Sequence, residues 1–263
     1  VDLPVYLKET GSMNTEVLQF SRSIIGNWRS RSEYLLKLSD NRVIPVISSY
    51  LLKTGEQQTI LPQFNRLSEK FSRVAFRIFY QSFFEDWEEV VQLARPSDYV
   101  ILDLDTLAPY PSSPVLRRIV TELRKFNTCA KIVLRSAINT DVQNVRLDHG
   151  AIIYEADNSL LETSREFSCD GFGDYAGIKK DDLTAGGTIS PGFIYYDAVE
   201  NQYYGFKASF KSLTEFESTI VPDVLASDPT KRMIERGYLV ADNRGWNTIN
   251  SISEGNESGK NQA

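Results

Sequence analysis

A chain of 263 residues, 41% hydrophobic and 24% charged, has the length of one barrel domain and enough apolar content to bury a core. Its net charge of −6 argues against an extended nucleic-acid surface and against binding to an anionic membrane. No run approaches the roughly 18 consecutive apolar residues of a membrane span, and the opening Val1-Asp2-Leu3-Pro4 lacks the regions of a signal peptide, so a cytoplasmic protein is expected.

The sequence lacks an initiator Met, so a processing or cloning event before Val1 is an expectation. Cys129 and Cys169 are too few for a disulfide framework, and with one histidine, His149, they make a poor zinc site. They read as ordinary reduced cysteines.

Strand-like runs alternate with helical runs along the chain. The strands, rich in β-branched and aromatic residues, are expected at Leu3–Leu7, Val43–Ser49, Val74–Phe79, Tyr99–Leu104, Lys131–Leu134, Ala151–Ala156, Gly171–Ile178, and Phe193–Asp197 with Tyr203–Phe210. Helices are expected at Thr15–Trp28, Thr59–Phe71, Phe83–Leu93, Ser113–Phe126 and Ser159–Phe167. Ser113 suits an N-cap and Pro114 the first helical position, and apolar residues follow at three- and four-residue spacing. Arg29-Ser30-Arg31 reads as a solvated loop, and Trp28, Trp87 and Trp246 as packing residues.

Alternating strands and helices predict a parallel sheet with crossovers. About eight units in this length favour an α/β, TIM-like (β/α)8 barrel over residues 1–246. No G-x-G-x-x-G follows the first strand, which removes the mark of a dinucleotide-binding domain. Ile194–Asp197 and Tyr203–Lys207 flank a polar loop and read as an antiparallel hairpin, so the barrel is expected to be irregular on its closing side. Residues 247–263, rich in Ser, Gly, Asn and Glu, read as a flexible tail. Ser258-Gly259-Lys260 lacks the spacing of a phosphate loop.

Strand parity predicts which side chains enter the barrel, because helix-facing positions must be apolar. Val74, Phe76 and Ile78 send Arg73 and Arg77 inward; Val100, Leu102 and Leu104 send Asp103 and Asp105 inward. The same reasoning turns Lys8, Arg135, Glu155 and Lys207 inward. Barrel enzymes work at the carboxyl ends of their strands. Asp103 and Asp105 are therefore the candidate catalytic pair, and Lys8, Arg77, Arg135, Glu155 and Lys207 the candidate ligand-binding ring. Asp174 and Tyr175, in the Gly-rich stretch 171–177, are expected beside the same mouth, with Asp174 able to face the helices instead. Arg77 and Arg135 are expected to flank the aspartates across about 10 Å and to hold a phosphate or carboxylate. The competing reading is an internal salt-bridge network.

No cofactor is required. The alternative is Mg2+ or Mn2+ at Asp103 and Asp105, two positions apart on one strand face, with Glu155 or Asp174 as third carboxylate. His149 enters a strand rather than leaving one and needs no catalytic role.

Gly171-Phe172-Gly173-Asp174-Tyr175-Ala176-Gly177-Ile178, with Phe193–Tyr196 and Tyr204–Lys207 downstream, resembles the beta protein family of phages and bacteria. Leu3–Lys8, Val43–Ile47 and Tyr99–Asp103 are similar to its first, second and central strands. The family carries a Gly-Glu pair soon after the lysine, where this chain has Glu9-Thr10-Gly11-Ser12-Met13-Asn14. Its members continue beyond a Gly-Asn stretch like Gly255-Asn256 into a Trp-containing segment, so a chain ending at Ala263 is expected to be truncated or divergent there. The resemblance implies a barrel-like fold and an association with prophages and anti-phage loci. Two functions follow as expectations. One is a defence or immunity protein that binds the product of a neighbouring gene, or a small charged ligand, at the barrel mouth. The other is a hydrolase or lyase acting on a phosphorylated or nucleotide-like molecule, with Asp103 or Asp105 as acid–base group.

Overall fold

The computed structural model describes residues 1–3, 5, 15–136, 147–174, 192–208 and 214–259. In chain order the strands are β1 (Val46–Ile47), β2 (Ala75–Phe79), β3 (Tyr99–Asp103), β4 (Ala130–Arg135), β5 (Ala151–Glu155), β6 (Gly171–Asp174), β7 (Gly192–Asp197) and β8 (Gln202–Lys207). They form a five-stranded parallel sheet, β1-β2-β3-β4-β6, and a three-stranded antiparallel sheet, β5-β8-β7. The fold class is therefore mixed α/β. Among the described residues these two sheets are separate, and they do not close into a barrel. The chain divides into two compact units, Val1–Asn139 with Asn158–Ala185, and Thr140–Asp157 with Gly186–Ala263.

In the first unit each strand pairs with its sequence neighbour through a helical crossover, until β4 pairs with β6. The amino terminus extends the same pattern: Val1 N donates to Ile44 O at 2.7 Å and Val46 N to Val1 O at 2.9 Å, the slanted bonding of a parallel pair. The helix Pro114–Lys125 forms as its sequence dictates. Ser113 accepts from Leu116 N, Pro114 occupies the first turn, and Leu116, Ile119, Val120 and Leu123 form one buried stripe. Helix Phe83–Leu93 buries Phe83, Trp87 and Val90 in the same way. These residues meet Phe76, Ile78, Val100, Leu102 and Val133, each at most 1% exposed, in one core.

The segment Trp28–Leu36 is a helix, capped by Asn27, and not a solvated loop. Arg31 is 1% exposed. Its guanidinium donates to Ile24 O at 3.0 Å, pairs with Glu56 at 2.8 Å and lies 5.5 Å from the centre of the Tyr50 ring. The polar run Trp28-Arg29-Ser30-Arg31-Ser32 carries no apolar stripe, so periodicity misses a helix whose buried face is held by an ion pair.

In the second unit the expected hairpin is present: β7 and β8 pair antiparallel from Gly192↔Lys207 to Asp197↔Gln202. Asp197, 0% exposed, organises it by accepting from Val199 N and from Arg232. Ala151–Glu155, expected as a parallel barrel strand, instead pairs antiparallel with β8 through an irregular register at Ile152/Tyr154. Tyr195, Phe206, Phe216, Val224, Met233 and Ile252 build its core. Helix Arg244–Ser253 contributes Ile249 and Ile252, so much of the segment that reads as a flexible tail is ordered by packing. No helix among the described residues is long and apolar enough to cross a membrane.

Candidate functional site

The carboxyl ends of β1, β2 and β3 gather a polar network. Arg77 leaves the middle of β2, and its Nε donates to Asp103 Oδ2 at 2.8 Å. Its Nη2 binds the same oxygen, while Nη1 binds Asp2 Oδ2. The Tyr50 hydroxyl donates to Asp2 Oδ1. Burial, reinforced by the Asp2 carboxylate, pushes that hydroxyl well above its ordinary pKa, so it stays protonated as a donor. Asp103 is 0% exposed, and its second oxygen accepts from Asp105 N at 2.7 Å.

Two strained backbone positions serve this network. Tyr50 and Asp105 have φ of 49° and 57°, the left-handed region that side chains other than Asn, Asp and Gly seldom occupy. Each lies just beyond a strand, and each donates into it, Tyr50 through its hydroxyl and Asp105 through its backbone amide. Strain of this kind costs about 1–3 kcal/mol per residue and persists where surrounding contacts over-determine it.

A second buried acid lies on Phe83–Leu93. Asp86, 5% exposed, accepts from Ser49 Oγ at 2.8 Å and Ser82 Oγ at 3.2 Å. Burial is the largest cause raising its pKa, to about 6; the two hydroxyl bonds pull the other way, and Glu89 and Glu85 add to the rise.

Arg77, Asp103 and Asp105 thus belong to one cluster, with Arg77 and Asp103 in direct contact. Arg135 does not join Arg77. The register sets Arg77 beside Ile101 and Ile101 beside Ile132, so Arg77, Asp103, Ile132 and Leu134 share one face of the sheet. Arg135, one residue beyond Leu134, shares the other face with Val133 and with Asp174, its partner on β6. There its Nε donates to Leu107 O at 2.9 Å and its Nη1 to Ser159 Oγ at 3.2 Å. The expected flanking of the aspartates by two arginines is corrected accordingly. Parity failed at β4 because both faces of Lys131–Arg135 carry apolar residues: Ile132 and Leu134 on one, Val133 on the other.

Asp174 is the last described residue of β6 and is exposed. Glu155 and Lys207 lie on β5 and β8 of the antiparallel sheet and are not part of the parallel strand ends. His149 occupies a turn, with Nδ1 2.8 Å from Lys207 O and Nε2 3.0 Å from Asp223. Lys8 and Tyr175 lie outside the described residues. Among the described residues no group of three or more His, Cys, Asp or Glu is placed to hold a metal ion; of the two carboxylates expected to complete a site, Asp174 shares the face of Arg135 and not that of Asp103, and Glu155 lies in the antiparallel sheet.

Sequence reasoning missed Asp2, Tyr50 and Asp86. Asp2 was legible, since it shares the parity that turns Lys8 inward. Tyr50 was not, because its reach depends on a left-handed turn that no residue type announces there.

The fold and site define an α/β protein whose parallel sheet carries a paired arginine–carboxylate network at its strand ends. The family profile of the Beta protein family matches residues 1–263, and the chain belongs to that family. No curated protein and no solved structure matches the chain.

Proposed function

We propose that this chain is a phage- or prophage-associated binding protein of the defence or immunity type, which grips a partner at the carboxyl ends of its parallel strands. In this reading the sequential parallel strands belong to a (β/α)8 barrel. The observation that carries the reading is the commitment of Asp103. Both of its oxygens accept hydrogen bonds, one from Arg77 and one from Asp105 N, and the whole group is buried. A general base must be able to take a proton from a substrate. Asp103 can do so only by giving up a buried ion pair, so the hydrolase or lyase reading loses its main residue.

The charge balance refines the partner. Asp2 and Asp103 share one arginine, Arg77, and Asp105 joins them through its backbone amide. Among the described residues of this cluster, carboxylates outnumber cations. Such a rim favours a basic segment of a partner protein over a phosphate. The test is calorimetric titration of the chain with hexa-arginine peptide, inorganic phosphate and ATP at low salt. Saturable binding of the peptide, weakened by Asp105→Asn, supports the reading. Binding of phosphate or ATP in preference to the peptide, or turnover of ATP, overturns it.

A further inference from the structure

The loops that lead into β1 and β2, residues 38–44 and 70–73, line a cavity of about 540 Å3 at the amino ends of these parallel strands. We propose that this cavity docks an acidic segment of a partner protein, one that carries an apolar side chain beside its carboxylates. Three cations line it, Arg42, Lys70 and Arg73, against one carboxylate, Asp40. In a chain of net charge −6, that local excess of positive charge runs against the average and selects an anionic partner.

Two of the three cations keep donors for a partner. Arg42 is taken up by Asp40 in a forked pair, with Nη2 2.6 Å from Oδ2 and Nε 3.0 Å from Oδ1. Arg73 is exposed, and its side chain makes no hydrogen bond or ion pair among the described residues. Lys70 Nζ donates to Leu36 O at 2.5 Å, which fixes the ammonium in place and uses one of its three donors. The Asp40–Arg42 fork is itself the geometry in which a carboxylate meets an arginine. Between the charges the walls are apolar. Leu38 and Val43 are half-buried, and the buried Phe71 ring lies 5.5 Å from Lys70 Nζ. A free phosphate would use the cations and leave these walls in water. A peptide uses both, because burial of an apolar side chain adds to the ionic contacts.

The site shares no residue with the Arg77 network and lies at the opposite ends of the same strands, so the two stand or fall separately. The probes are the hexapeptide Glu-Leu-Glu-Leu-Glu-Leu, hexa-glutamate and inorganic phosphate, titrated calorimetrically into the full chain at low salt. The mixed peptide is expected to bind saturably and at least as tightly as hexa-glutamate. Arg73→Ala and Lys70→Ala each weaken it about fivefold, while Asp40→Asn, which frees Arg42, tightens it. Lys125→Ala removes the same charge from an exposed position elsewhere and leaves the affinity unchanged, as does Asp105→Asn. Asp40, Lys70 and Arg73 are exposed, so their variants fold, as circular dichroism can verify. The proposal is overturned if the mixed peptide does not bind saturably, or if neither Arg73→Ala nor Lys70→Ala weakens it more than Lys125→Ala does. Tighter binding of phosphate or hexa-glutamate than of the mixed peptide overturns it as well.

Discussion

Replacing Asp86 with asparagine isolates one buried charge and gives the pH dependence of stability a sign. The Asp86 carboxyl is raised from 3.8 to about 6 in the fold, first by burial, so the native state holds its proton more tightly than the unfolded chain. Stability from this group is complete below pH 3.8 and declines as pH rises to about 6, where the buried group ionises. A shift of that size corresponds to about 3 kcal/mol. The asparagine side chain cannot ionise and keeps an oxygen to accept from Ser49 Oγ, which lies 2.8 Å from the present carboxylate. Urea unfolding across a series from about pH 4 to about pH 7 checks this. The stability of Asp86→Asn relative to wild type is expected to grow with pH, by up to about 3 kcal/mol over that series. A difference that stays flat across the series, or that shrinks as pH rises, refutes the account of Asp86 as a carboxyl whose ionisation opposes folding.

Removing Arg77 takes the guanidinium away from the buried Asp103 carboxylate, so Arg77→Leu is expected to lower unfolding stability by about 3–5 kcal/mol; a loss below about 1 kcal/mol would mean that water reaches Asp103. Lys125→Ala breaks an exposed pair with Glu122 and is expected to cost about 0–1 kcal/mol in the same assay. Ser113→Ala deletes the cap that accepts from Leu116 N and is expected to cost about 1 kcal/mol, seen as a lowered melting temperature. Gly205→Val places a branched side chain where a Cβ already meets Ile153 and Leu147 at 3.2 Å. It is expected to destabilise the antiparallel sheet, with loss of amide protection in β8 by hydrogen exchange.

Much of the fold was legible because local signals agreed with the tertiary outcome. Helix Phe83–Leu93 has the bounds its apolar period predicts, with Phe83, Trp87 and Val90 buried. Helix Pro114–Lys125 follows from Ser113, Pro114 and one buried stripe, and the β7–β8 hairpin follows from two aromatic runs around a polar loop. The cluster of Arg77, Asp103 and Asp105 was legible for the same reason: Phe76, Ile78, Val100 and Leu102 fix the helix-facing side of β2 and β3 without ambiguity, and the charged residues must take the other.

What the sequence by itself determined is every element whose burial pattern has a single period and a single apolar face. The tertiary structure alone decided the rest. Lys131–Arg135 alternates apolar residues on both faces, so only its register with β3 turned Arg135 away from Arg77. Ala151–Glu155 has strand propensity whichever neighbour it finds, and pairing across long sequence separation gave it to β8 in an antiparallel sheet. Arg31 entered the core, against the habit of its residue type, because Glu56 lies 2.8 Å away to pair with it. Side-chain chemistry sets which faces can be buried; the partner that buries them is chosen by contacts distant in sequence, and propensity carries no information about those.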